Sequence, residues 1–183
     1  MTTPPPGGIP QVVTDPLSVV AVETERHVAA SGWDQPTRLF ALVDTAQLLE
    51  REPHLASGLT AADHAPGALT AIEQEGMPVT TDLFSLLGQI AWPDEVTGCA
   101  VAVERIVVPP EAERDLPSNP DAALEALAAH PDRRDIRLVV AVARNGGRVC
   151  LLRQRDHDRD DRVATGSDLA PGLVAALQAT FQD

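Results

Sequence analysis

Apolar residues recur along this chain with two periods, and the switches between them predict its elements. Leu83, Leu86, Leu87 and Ile90 fall at i, i+3, i+4 and i+7. That spacing predicts a helix with one apolar face, capped by Thr80 or Thr81 and ended before Pro93. A second stripe, Leu169, Leu173, Val174, Leu177 and Phe181, predicts a closing helix capped by Ser167 or Asp168. Asp15-Pro16 supplies an N-cap and a proline at the first helical position for a helix over residues 17–30, although its Val19-Val20-Ala21-Val22 run has β propensity. Asp44, with Gln47 three positions on, predicts a capping box for a helix over 45–52. Asn119-Pro120-Asp121 opens another, which carries Leu124 and Leu127 and ends at His130-Pro131.

Short apolar runs predict strands at residues 38–43 and 99–108. Residues 136–143 and 148–155 flank Asn145-Gly146-Gly147 and predict a hairpin. With Asn145-Gly146 as a two-residue turn, Val142 faces Val149, Val140 faces Leu151 and Leu138 faces Arg153. Both hairpin faces are apolar at mid-strand, so both should be covered. Residues 54–80, rich in Gly, Ala, Pro and Thr, read as a long irregular excursion, and an acidic loop follows Pro109-Pro110. The predicted order is α-β-α-α-β-α-β-β-α. That is an α+β fold with a small, mainly antiparallel sheet of about four strands and helices packed on it. Residues 1–13, uncharged and with four prolines, read as a flexible Pro/Gly-rich tail, and 14–183 as a single domain.

Charge then singles out one place. Nine of the fourteen basic residues lie between Arg133 and Arg162, on and around the hairpin, in a chain of net charge −13. Every basic residue is Arg. The absence of Lys excludes Schiff-base chemistry and a Lys-containing phosphate loop. The acidic balance disfavours nucleic acid and anionic lipid. No run of 18 apolar residues exists, and no basic-then-apolar start, so neither direct membrane insertion nor secretion is expected. Cys99 and Cys150, inside apolar strands, read as small buried hydrophobes of a reducing, cytoplasmic protein.

Candidate chemistry is sparse. Asp156, Asp158 and Asp160 alternate like the first ligands of a calcium loop, but position six is Asp161 and position twelve Ser167, so they are weak metal candidates in a self-neutralising loop. The five histidines form no close ligand pair, and His130 reads as a cap on the last turn of its helix. No nucleophile elbow is present, and no cofactor is expected. The arginines carry more. Arg133, Arg134, Arg137, Arg144, Arg148, Arg153 and Arg155 can point to solvent, pair with the acidic first half of the chain, or meet an acidic partner or second copy.

Gly32-Trp33-Asp34-Gln35-Pro36, Ala91-Trp92-Pro93, Val103-Glu104-Arg105, the run from His130 to Val139, and Leu169-Ala170-Pro171-Gly172-Leu173 together resemble a family of uncharacterised cytoplasmic proteins of high-G+C Gram-positive bacteria. The resemblance covers the chain from about Asp15 onward and brings no catalytic residues with it. A looser architectural likeness is to small acidic secretion-chaperone folds, which commonly dimerise. These readings lead to a non-enzymatic protein-binding, adaptor or chaperone-like module that captures a protein partner or self-associates. Its expected contact residues are Trp33, Arg137, Arg144, Arg148, Arg153 and Arg155. The alternative is a small hydrolase with an active site assembled from dispersed His, Asp and Arg.

Overall fold

Helix α1 (Pro16–Ala29) starts as its sequence dictates: Asp15 Oδ2 accepts the Ser18 N–H, and Pro16 fills a first-turn position where no donor is needed. Leu17, Val20, Ala21, Thr24 and Val28 form its buried stripe. Packing of that stripe overrides the β propensity of the valines. Strand β1 (Arg38–Asp44) runs straight into α2 (Thr45–Arg51), where Asp44 Oδ1 accepts the Gln47 N–H at 3.1 Å. There follow β2 (Leu69–Glu73), α3 (Leu83–Leu87), β3 (Val96–Val107), α4 (Pro110–Arg114) and α5 (Pro120–Ala129). The chain closes with β4 (Arg134–Ala143), β5 (Arg148–Gln154), two 3-10 turns, β6 (Ala164–Gly166) and α6 (Pro171–Ala179). The computed structural model describes residues 15–54, 67–75, 83–167 and 169–182. The tail over 1–13, the Thr80, Thr81 and Asp168 caps, and most of the 54–80 excursion lie outside the described residues.

Among the described residues the strands form one antiparallel sheet in the order β2-β1-β3-β4-β5-β6. Helix α1 covers one face, over Phe40, Leu42, Ala100, Ala102, Val139, Ala141, Val149 and Leu151. The alanines let the helix approach closely. Helices α3 and α6 cover the other face, where Leu173, Val174 and Leu177 meet Val101, Leu138, Val140, Val142 and Cys150. Gly98 allows the central strands to close beside the β1–β3 bulge, because a Cβ there would sit 2.5 Å from the Val142 carbonyl oxygen. No helix among the described residues is long and apolar enough to cross a membrane.

The α+β class and antiparallel sheet agree with the sequence pattern, but the sheet has six strands where about four were expected. Strand β2 lies inside the stretch read as irregular, and β6 has three residues, too few to show a period of two. The acidic loop contains α4, which begins at Pro110. Helix α3 stops at Leu87, leaving Ile90 to pack on the core from a turn, and α6 starts at Pro171, two residues past Leu169.

The hairpin register is also corrected. Its turn is a three-residue loop, with Ala143 opposite Gly147: Gly146 N–H bonds Ala143 O, and Ala143 N–H bonds Gly147 O. Gly146 sits at φ +99°, which only glycine adopts cheaply in such a bulged loop. Leu138 therefore faces Leu152, Val140 faces Cys150, and Arg137 faces Arg153. The shift by one moves Arg153 onto the α1 face.

Candidate functional site

The corrected register puts Arg137 and Arg153 side by side on the face that α1 covers, at the end of the sheet where α1 terminates. Glu25 lies on the buried stripe of α1, one turn beyond Ala21, and meets Arg153 there. Arg153 Nε donates to Glu25 Oε2 at 2.8 Å and Nη2 to Oε1 at 2.6 Å, with both side chains only 3% exposed. The fork also donates from Nη1 to Asp158 Oδ1 at 3.0 Å and from Nη2 to Asp160 Oδ1 at 2.6 Å. Glu25, then burial acting in opposition, then Asp160 set its acidity. The net effect holds the Arg153 proton more tightly than usual. In return Arg153 lowers the Asp160 carboxyl below its ordinary range.

Trp33 lies beside this pair, in the turn that carries the chain from α1 to β1. The Arg137 guanidinium lies 4.3 Å from its ring centroid and that of Arg155 lies 5.7 Å away. The indole Nε1–H donates to Asp158 Oδ2 at 3.0 Å. Arg137 is 1% exposed; its Nη2 donates to Gly32 O and to Glu104 Oε2, while Nη1 has no acceptor among the described residues. The indole face therefore supplies part of the compensation for burying this cation. Glu104 accepts the Asp34 and Gln35 N–H groups, each at 2.9 Å. Those bonds hold Asp34 at φ +65°, a conformation that costs most residues energy and that Asp tolerates better than most. Arg155 then grips both Asp34 oxygens, at 2.8 and 3.1 Å, and depresses that carboxyl.

Next to Asp34 and Glu104 opens a cleft of about 390 Å³ between the end of β3 and α5, lined by Ile106, Leu124, Leu127 and Asp135. Helix α5 buries no residue, and Leu124 is 56% exposed. An apolar stripe that meets the sheet only in part leaves the cleft open.

Arg144 and Arg148 lie at the opposite end of the sheet. Seven residues along β4 separate Arg137 from Arg144, or about 23 Å at strand rise. Arg144 serves the fold: Nε and Nη2 donate to Val96 O at 3.2 and 3.0 Å, Nη2 also reaches Pro93 O, and the guanidinium lies 4.7 Å from the Phe181 ring centroid. Phe181 stacks on Trp92, whose Nε1–H donates to Thr180 Oγ1 at 2.9 Å. Thr180 also approaches the Cys99 sulfur, and burial pushes that thiol up to about 12. Cys99 and Cys150 are both free and buried.

The six candidate residues thus divide four and two. Trp33, Arg137, Arg153 and Arg155 converge, and Arg144 and Arg148 stand apart. Of the three fates open to the arginines, pairing with the acidic first half of the chain describes Arg153 with Glu25 and Arg155 with Asp34, while Arg137 pairs with Glu104 of β3 in the second half. Asp158 and Asp160 of the acidic run turn onto Arg153, and Asp156 lies 3.6 Å from Arg134. The histidines do not converge. His27 lies by Arg38, His54 by Glu52, and His130, which is the C-cap residue of α5, accepts the Asp132 N–H at Nδ1. His157 sits exposed in a 3-10 turn, and His64 falls outside the described residues.

Glu25 and Glu104 were not singled out from the sequence. The available signal was a charged residue on an apolar stripe: Glu25 on α1 (17, 20, 21, 24, 28), and Arg153 with Val149 and Leu151 on β5. Opposite charges interrupting two apolar faces mark a buried pair, provided the register is right.

A family model described as PPA1309-like protein matches residues 17–182. No curated protein and no solved structure shows a significant match.

Proposed function

The chain belongs to the PPA1309-like protein family, and we propose that it works there as a non-enzymatic protein-binding module, an adaptor or chaperone-like protein of the cytoplasm. One observation carries the reading. A turn fixed by Glu104, Arg137 and Arg155 holds Trp33 next in the chain to Asp34, which lines a cleft whose aliphatic wall stays open on α5. A rigid aromatic next to exposed aliphatic side chains and rimmed by arginine is the composition of an interface core and its rim. Arg155 belongs to that rim. Arg137 is too deeply buried to touch a partner and positions the turn, while Arg153 is covered by Glu25 from below and by Asp158 and Asp160 from the solvent side, so that only displacement of those two carboxylates opens it. Arg144 and Arg148 fall outside this surface. The two free, buried thiols suit a reducing compartment.

The test compares the parent with Leu124→Asp, a substitution at an exposed position that spares the core. Cross-linked capture from native cells is quantified for both proteins, and sedimentation follows self-association. Selective loss of the same partner, or of the dimer, with an unchanged melting curve supports the cleft as the contact surface. Identical capture and identical oligomeric state by the folded variant reject it.

A further inference from the structure

The contacts of residues 156–162 differ from those of every element around them. These residues, made mostly of the two 3-10 turns, bury no side chain. Their links to the body are polar: Asp158 to Arg153 and to the Trp33 indole, Asp160 to Arg153 and, at 3.9 Å, to Arg26, and Asp156 to Arg134. The residues beneath them are fixed without this strap. Arg153 is already gripped in two places by Glu25, and Arg137 by Gly32 and Glu104. The guanidinium edge that remains, Nη1 and part of Nη2, together with the Trp33 Nε1–H, makes a preformed donor set. Two carboxylates spaced i and i+2 now fill it. Asp158 and Asp160 keep 41% and 60% of their side-chain surface exposed, so their bonds exchange with solvent and are screened by salt.

We propose that this donor set is a docking site for a carboxylate-rich segment of a protein partner, with Asp-x-Asp spacing, and that the Asp158/Asp160 strap is a cis competitor that such a segment displaces. The proposal rests on the binding-module reading and names the partner chemistry of the same Trp33 surface. Charge complementarity supports it. In a protein of net charge −13 this is where an acidic segment lies bound across arginines, and the planar fork of Arg recognises carboxylates by geometry as well as charge. Tethering supports it too. A strap anchored by β5 before it and β6 after it competes at an effective concentration in the millimolar range, which keeps the parent closed to weak acidic ligands and sets a threshold for the true one.

The experiment uses the whole chain and a fluorescein-labelled peptide of the strap's own sequence, Asp-His-Asp-Arg-Asp-Asp, followed by anisotropy. A peptide with Asn in place of every Asp is the control. Asp158→Asn with Asp160→Asn neutralises the competitor without removing Arg153, Glu25 or Trp33. The double variant is expected to bind the acidic peptide at least 10-fold more tightly than the parent does, to ignore the Asn peptide, and to lose binding at 0.5 M salt. Equal affinity in parent and variant, or equal binding of both peptides, overturns the proposal. Should the double variant melt early, Asp160→Asn alone, which keeps the Trp33–Asp158 bond, carries the same comparison with a smaller gain; no gain there also overturns it. Absence of peptide binding with Leu124-dependent capture intact removes the strap proposal alone. Peptide binding without that capture removes the cleft instead.

Discussion

Removing Arg153 should be far more damaging than removing the acid it grips. Arg153→Ala leaves Glu25 on the buried face of α1 with no partner, and it withdraws the cation from Asp158 and Asp160 as well. Breaking one side of a buried ion pair costs about 3–5 kcal/mol, because the remaining charge stays desolvated. Asp158 and Asp160 add little, since both are already largely in water. For a chain of this length the loss corresponds to a fall of about 6–20 °C in Tm. Glu25→Gln is different. The guanidinium keeps two carboxylates, and the amide oxygen can still accept one bond, so the expected cost is about 1–3 kcal/mol. Replacing both partners by apolar residues of similar size, Glu25→Leu with Arg153→Met, should come within about 1 kcal/mol of the parent, since neither charge is then buried alone. Urea titrations at pH 7 on the parent, on Glu25→Leu and Arg153→Met singly and on their double complete a cycle and read the coupling directly, and the same assay reports the costs of Arg153→Ala and Glu25→Gln. If Arg153→Ala costs under 1 kcal/mol, or Glu25→Gln costs as much as Arg153→Ala, the buried bidentate pair does not organise this end of the sheet.

Further outcomes follow from the same geometry. Arg144→Glu should destabilise by about 1–3 kcal/mol in a urea titration, because the Val96 and Pro93 carbonyls lose the Arg144 guanidinium and Phe181 its cation; an unchanged midpoint would show the guanidinium to be solvent-facing. Gly98→Ala forces a Cβ against the Val142 carbonyl, which is backbone and cannot swing away, so its cost should reach the upper end of the roughly 1–3 kcal/mol seen for overpacking. A Tm within 1 °C of the parent would contradict the close approach of β3 and β4. Acid should act through Asp34, Asp160 and Glu73, whose carboxyls are depressed by hydrogen bonds from Arg155, Arg153 and Arg38 respectively. Their stabilisation is present above the unfolded value near pH 4 and is lost as pH falls through the depressed folded values. Tm should therefore stay level from pH 7 to about 5 and drop below about 4. A drop centred at pH 6–7 would assign control to a histidine instead.

Local signals in the sequence were strong enough to place α1, α2 and α5 by their caps, and β1, β3, β4 and β5 by their apolar runs. What they could not place depended on neighbours. Among the described residues β2 is an edge strand of five residues paired only with β1, and its Leu-Thr-Ala-Ile-Glu pattern is too short to stand out from a Gly- and Thr-rich stretch. The apolar runs mark the hairpin residues, but the choice between a two- and a three-residue loop rests on whether Arg144 or Ala143 pairs with Gly147 across the turn. That choice reverses which face every β5 side chain occupies. The error propagated to the site. With Arg153 grouped with Leu138, Glu25 had no visible partner, and the arginines read as surface charge. Correct register alone joins Glu25, Arg137 and Arg153 on one face. Trp33 could be singled out as a turn residue, but its two guanidinium neighbours are 104 and 122 positions away and leave no local trace.

Placing Arg137 directly opposite Arg153 is unfavourable on its own, since like charges across a strand pair repel. Each is tolerated because a different element supplies its acid: Glu104 from β3 for Arg137, and Glu25 from α1 for Arg153. The arrangement therefore has a consequence that an apolar pair in the same positions would lack. Slipping β5 by one residue against β4 carries Arg153 to the α6 face, among Leu138, Val140 and Leu177, where no acid waits among the described residues, and leaves Glu25 alone beneath α1. An apolar hairpin with Val, Leu and Ala on both faces discriminates weakly between the two registers, because either one buries similar side chains. The buried charges make the wrong register cost a stranded ion on each face of the sheet. Their contribution lies less in net stability than in fixing which face of β5 meets α1, and with it the position of the Trp33 turn.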